Sequence, residues 1–152
     1  QTGHLGLSTV HANDAVGAIP RLKDLGIKDY MISSSLLCVI AQRLVRALCP
    51  YCKEPYPSGE EESRMFGIAP GTTIYAPKGC DQCIKTGYLG RMMIAEILPV
   101  TQEVERLISM GAHPFEIKDK AIEEGMYTLA QDAVRKVVAG KTSFQEARRV
   151  LR

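Results

Sequence analysis

The chain has 152 residues, of which 45% are hydrophobic and 24% charged, with a formal charge of +2 at pH 7. That length builds one domain or two small subdomains, and the composition is that of a globular protein. So weak a positive balance gives no ground for nucleic-acid binding. No apolar run approaches the roughly 20 residues of a membrane span, and no secretory signal opens the chain.

Gln1-Thr2-Gly3-His4 leads directly into the apolar run Leu5 to Val10, which reads as a buried strand. Without an initiator methionine, the chain reads as part of a longer one. Asn13 or Asp14 is a candidate N-cap for a helix from Ala15 to Leu25, striped by Val16, Ile19, Leu22 and Leu25. Pro20 should kink that helix or mark a restart, and Gly26 closes it in a left-handed cap. A second helix is expected from Asp29 to Ala41, with Cys38 a small core residue on it, followed over Gln42 to Leu48 by a strand, with an extension of the helix as the alternative.

Between Cys49 and Gly90 the texture changes to a loop-rich insertion punctuated by proline and glycine, with Glu60-Glu61-Glu62 a solvated acidic surface. Arg91 to Val100 reads as a strand leaving it. The remainder is helical. Thr101 caps a helix ending before Gly111, and Pro114 suits the first turn of one ending at Gly125. Thr128-x-x-Gln131 and Ser143-x-x-Glu146 match the capping box. The expected segments are 1–48, 49–90 and 91–152.

Four of the five cysteines form two C-x-x-C pairs, Cys49/Cys52 and Cys80/Cys83, separated by residues 53–79. Two residues between cysteines let both thiolates of a turn face one ion, and two such turns complete a tetrahedral sulfur shell. Structural Zn²⁺ is the leading reading; a redox dithiol, an iron site or chance spacing are the others. A closed shell leaves no position for catalytic water. The intervening loop has little apolar material, so metal binding there supplies folding energy. Lys53, Lys78, Lys85 and Arg46 are near enough in sequence to offset the site's negative charge.

His4 and His11 flank the first expected strand, where a histidine can donate to phosphate oxygens, although a structural or surface role is open for each. His113 reads as loop surface. Gly140-Lys141-Thr142 imitates the end of a phosphate-binding loop. The first glycine of that motif would fall at Arg135, and the triplet follows a helical run, so it reads as a helix C-cap.

The stretch from Thr2 to Asp14 resembles the His box of the secretion ATPase superfamily. Ser33 to Leu37, Ala41 to Arg46, Leu48 to Cys52, Gly87 to Arg91, Glu96 to Pro99, Glu124 to Met126 and the tail around Gly140 to Val150 resemble one branch of it, in order. That branch comprises type II secretion ATPases and type IV pilus assembly ATPases. The resemblance implies an α/β fold: the terminal part of a RecA-like P-loop core, a tetracysteine zinc arm and a helical C-terminal subdomain. It implies a cytoplasmic homo-hexamer at the bacterial inner membrane, bound to secretion or pilus platform proteins and not itself inserted. There it would hydrolyse ATP with Mg²⁺ to drive pseudopilus or pilus assembly. His4 would face the γ-phosphate region, His11 would close the motif, and Arg43 and Arg46 would serve the nucleotide or a subunit contact. The four cysteines carry over as zinc ligands. Gly6, Pro20 and Met92-Met93-Ile94-Ala95 depart from the usual pattern. The chain alone, lacking the Walker segments, is expected to be inactive and mainly monomeric.

Two other classes compete with the motor. One is a zinc-stabilised interaction module without nucleotide chemistry. The other, a small hydrolase using His4, His11 and Asp14, lacks a nucleophile motif and an open metal position.

Overall fold

The computed structural model describes residues 3–151. Gln1, Arg152 and Thr2, the first residue of the His-box stretch, lie outside the described residues. The chain divides into two compact units, residues 1–41 with 96–128 and residues 42–95 with 129–152.

The first unit is mainly helical. Helix α1 spans Ala18–Asp24 and α2 Asp29–Ser35. The expected helix from Ala15 starts three residues late because Ala15 to Gly17 form a tight turn, held by a Gly17 N–H donated to Asp14 Oδ1 at 2.8 Å. Pro20 therefore falls in the first turn of α1, where a missing N–H breaks no intrahelical bond, and neither kink nor restart results. Gly26, at φ +85°, closes the helix as expected. Helices α4 (Gln102–Ser109) and α5 (Pro114–Glu123) complete the unit. Thr101 Oγ1 accepts the Val104 N–H at 3.3 Å as the cap of α4, and Pro114 opens α5. Val16, Ile19, Ile32, Leu98, Val104, Ile108 and Ile117 form one buried cluster.

Two expectations fail in this unit. Leu5 to Val10 forms no strand and is exposed along its whole length, Leu7 at 93%. A strand needs a neighbour to take its backbone groups, and none of the strands among the described residues pairs with it. The second helix stops at Ser35, six residues early: Leu36 turns extended, and Leu37 O accepts the Val100 N–H at 2.9 Å. Cys38 is accordingly an exposed residue of a strand rather than a core residue of a helix.

Strands β1 (Cys38–Leu48) and β4 (Tyr88–Pro99) pair as a two-stranded sheet. In the second unit, β2 (Glu54–Pro57) pairs antiparallel with β3 (Thr73–Ala76), Glu54 opposite Ala76 and Pro57 opposite Thr73. Helix α3 (Glu60–Phe66) lies between them in sequence. The insertion is thus more than loop: Ile68 and Ile74 are buried, and β3 packs against α6 (Leu129–Val138) and α7 (Phe144–Leu151). Phe66 meets the buried Phe144 edge-on at 5.2 Å. The acidic run is not all solvated either. Glu62 is buried and takes the Gly59 N–H at 3.0 Å and the Tyr56 hydroxyl at 3.2 Å, while Glu61 pairs with Arg148.

Candidate metal centre

The end of β1 delivers the first cysteine pair. Cys49 follows Leu48 into a turn closed by Lys53 N–H donating to Cys49 O at 3.1 Å, which brings Cys52 round to the same side. The second pair brackets a short 3₁₀ turn, Asp81–Cys83. After it Ile84 and Lys85 adopt left-handed backbone at φ 51° and 60°, letting the Lys85 N–H reach Cys80 O at 2.8 Å. Glycine is required on either side. A Cβ on Gly79 would stand 2.5 Å from Lys85 O, and one on Gly87 2.4 Å from the Pro77 Cβ. The two turns are tied by the Cys49 N–H donated to Gly87 O at 3.0 Å.

This geometry brings all four sulfurs within 4.8 Å of one another. Cys49–Cys80 is 3.9 Å, and Cys52–Cys83 and Cys80–Cys83 are each 3.8 Å. A tetrahedron with zinc–sulfur arms of about 2.3 Å has an edge of about 3.8 Å. A disulfide, by contrast, needs about 2.0 Å. The donor set therefore fits a metal ion, which would take the cysteines as thiolates, and these three sulfur pairs are too far apart for a disulfide.

Backbone amides are aimed at the sulfurs: Gly79 N–H at Cys52 Sγ (3.3 Å), and Cys80 and Gly87 N–H at Cys83 Sγ (3.2 Å each). Burial opposes ionisation of Cys83, but the two amides and the neighbouring thiols prevail and bring it down to about 6. Cys52 is pushed up to about 12, chiefly by burial and by the other three cysteines, against the Gly79 amide. The four cations suggested by sequence are engaged elsewhere. Lys78 pairs with Glu54, Lys85 with Asp81, and Arg46 with Glu146. Lys53 donates to Gly140 O at 2.8 Å and lies 4.5 Å from the centre of the Tyr75 ring. Amides rather than ammonium groups meet the sulfurs directly.

The histidines and arginines named from sequence are not gathered into such a cluster. His4 and His11 are exposed on the irregular segment that opens the first unit. The end of that segment is anchored: Glu96 Oε1 accepts the Ala15 N–H at 2.8 Å, and Asp14 pairs with Lys118 at 2.9 Å. Arg43 is exposed on β1. Arg46 lies 4.1 Å from the centre of the Tyr88 ring and donates from its backbone, Nε and Nη2 to Glu146, which Arg149 also grips. Those contacts hold the Glu146 carboxyl down at about 2, the Arg149 hydrogen bonds first and Arg46 next, against the opposing effect of burial.

Glu96 and Glu146 were not named as site residues from sequence. Glu96 carried a signal: alternation of Ile94, Glu96 and Leu98 puts it on the apolar face of β4. Glu146 sits at the capping-box position after Ser143, whose Oγ does accept the Glu146 N–H at 3.2 Å. Its carboxylate, however, goes to the arginines.

A family model described as "Type II/IV secretion system protein" matches residues 1–149. Over 149 residues the chain is 45% identical to "Type II secretion system protein E" of Dickeya dadantii, covering 98% of this chain and 30% of that protein. It is 44% identical over 151 residues to "Type II secretion system ATPase E" of Vibrio cholerae, with the same coverages. It is 41% identical over 150 residues to "Type IV pilus assembly ATPase PilB" of Myxococcus xanthus, covering 95% of this chain and 26% of that protein. The chain thus spans less than a third of the length of these relatives.

Proposed function

The chain belongs to the type II/IV secretion system protein family, and from that membership we propose that it is the C-terminal part of an ATPase that powers type II secretion or type IV pilus assembly. The observation that carries the proposal is the match over 98% of the chain to 30% of a type II secretion protein E. In this reading the whole protein is a cytoplasmic hexamer, held at the inner membrane by platform proteins. It hydrolyses ATP with Mg²⁺ at a RecA-like core, of which residues 1–48 are the end. Residues 49–90 are the zinc arm and 91–152 the C-terminal subdomain.

The exposed apolar segment from Leu5 to Val10 supports this reading. Leu5 and Leu7 are 74% and 93% exposed, an arrangement that further parts of a sheet would relieve. Within the proposal His4 faces the γ-phosphate region, while His11, Arg43 and Arg46 serve the nucleotide or a neighbouring subunit. Cys49, Cys52, Cys80 and Cys83 bind structural Zn²⁺.

The G-K-T triplet supplies no phosphate cradle. Gly140, at φ +64°, ends α6 with the Lys141 N–H donated to Lys136 O at 2.9 Å, and the Thr142 hydroxyl is spent on Arg46 O. The test has two arms. Calorimetry of residues 1–152 with Mg-ATP should show no tight binding; micromolar affinity would mean the nucleotide site is misplaced. The full-length protein should hydrolyse ATP, and His4→Ala there should slow it about 10–1000-fold, as loss of one transition-state hydrogen bond does. A full-length protein without ATPase activity in any assembly state overturns the motor reading.

A further inference from the structure

The first cysteine pair is not held by its own turn alone. Three of its neighbours in sequence are fixed to the short connection between α6 and α7. Before the pair, Arg46 O accepts the Thr142 hydroxyl at 2.8 Å, and the Leu48 N–H is donated to Lys141 O at 2.9 Å. After it, Lys53 Nζ donates to Gly140 O at 2.8 Å. Thr142 is wholly buried. Gly140 packs so closely that a Cβ there would stand 2.6 Å from the Tyr75 ring, over which the Lys53 ammonium also lies. Three consecutive residues from another part of the chain thus bracket Cys49 and Cys52.

We infer that the Gly140–Thr142 turn is a remote positioning element of the metal site, so that metal affinity and docking of the α6–α7 pair are linked. The inference rests on the four cysteines binding a metal ion. Its physical basis is preorganisation. A tetrahedral thiolate site tolerates little displacement of its ligands, and loss of a group that orients ligands from outside typically weakens metal binding about 10–100-fold. With Arg46, Leu48 and Lys53 anchored, Cys49 and Cys52 are presented in place before the ion arrives. Without those anchors the turn at the end of β1 keeps fewer ties, the Cys49 N–H to Gly87 O among them, and more of its ordering must be met out of the binding free energy. Coupling between two equilibria is reciprocal, so an ion that favours the anchored turn also favours docked helices.

The experiment uses the full chain loaded with Zn²⁺, its stoichiometry fixed by elemental analysis. In competition with a chromophoric chelator, Thr142→Val should bind zinc about 10-fold more weakly, and Thr142→Ser should restore affinity. A Thr142→Val chain with unchanged circular dichroism and unchanged zinc affinity overturns the inference. The reciprocal arm needs no substitution and so survives a variant that does not fold. Stripping zinc from the parent chain should speed amide exchange across residues 129–151 while residues 102–123 keep their protection. Loss of zinc with exchange at 129–151 unaltered overturns the linkage and leaves the metal site standing. A parent chain that takes up no zinc overturns the metal reading, and this inference with it.

Discussion

The two units are stabilised by different physics. The first holds 6 of the 19 Lys and Arg but 10 of the 17 Asp and Glu, a net −4; the second holds 13 and 7, a net +6. The first is organised around one apolar cluster on which four helices converge. The second buries Ser58, Glu62, Thr142, Ser143 and Glu146 alongside its apolar residues and draws four cysteines together. Apolar burial is nondirectional and indifferent to pH and chelators, whereas thiolate, carboxylate and hydroxyl contacts are directional and conditional. The nearly neutral total charge conceals this division. The lesson is that the second unit should respond more strongly to chelators and acid than the first, although the Asp14–Lys118 pair gives the first some pH dependence of its own.

The severest break of that contrast is removal of the proposed zinc ion. Zinc binding in small metal-dependent folds is worth on the order of 10 kcal/mol or more. Chelation or Cys80→Ser should therefore abolish the cooperative calorimetric transition of the second unit and leave that of the first. Because β3 packs on α6 and α7, those helices should be lost with the arm. A variant that melts like the parent refutes the division.

Next come the cores. Phe144→Ala should cost about 3–5 kcal/mol in the second unit and Ile108→Ala about 2–5 kcal/mol in the first, both side chains being fully buried. Urea unfolding followed by site-resolved amide exchange should find each loss confined to its own unit. Losses spread evenly over both would merge them into one cooperative structure.

Acid sharpens the comparison at smaller magnitude. The Glu146 carboxyl lies at about 2 in the folded chain, below the ordinary value near 4.3. It therefore stabilises the second unit fully above that ordinary value, and the contribution fades as pH falls through about 2. Glu146→Gln should flatten this dependence between about pH 4.5 and 2. At neutral pH it should cost about 1–3 kcal/mol, towards the low end because the Arg46 and Arg149 side chains are 49% and 60% exposed. Because protonation of the cysteines also releases the metal in acid, the neutral-pH loss, read from chevron midpoints of the zinc-loaded chain, is the deciding measurement. The smallest effect is Thr101→Ala, about 1 kcal/mol from a lost cap in the first unit, visible as a shift in its melting temperature alone.

Helix starts were legible where a side chain caps its own backbone, as at Thr101 and Ser143, or where a proline takes the first turn, as at Pro114, because such signals span only a few residues. The cysteine cluster was legible for a similar reason: each C-x-x-C turn is local, and a metal demands two of them. The apolar run Leu5 to Val10 misled because hydrophobicity states what should be buried but not what is present to bury it. Cys38 misled because helical spacing continued past Ser35, whereas Val100 drew the Leu37 carbonyl into a hydrogen bond.

The sequence by itself determined the family, the ligand set of the candidate metal site and most helix starts, all of which depend on residue identity and short spacing. Only the tertiary structure decided that α4 and α5 belong to one unit and α6 and α7 to the other. It also decided that Glu96 and Glu146 are buried, and that the Thr142 hydroxyl reaches Arg46 O beside the first cysteine pair. Those outcomes rest on contacts between residues 81–100 positions apart. Such contacts leave no local periodicity for the sequence to display, because folding selects them by shape and hydrogen-bond satisfaction.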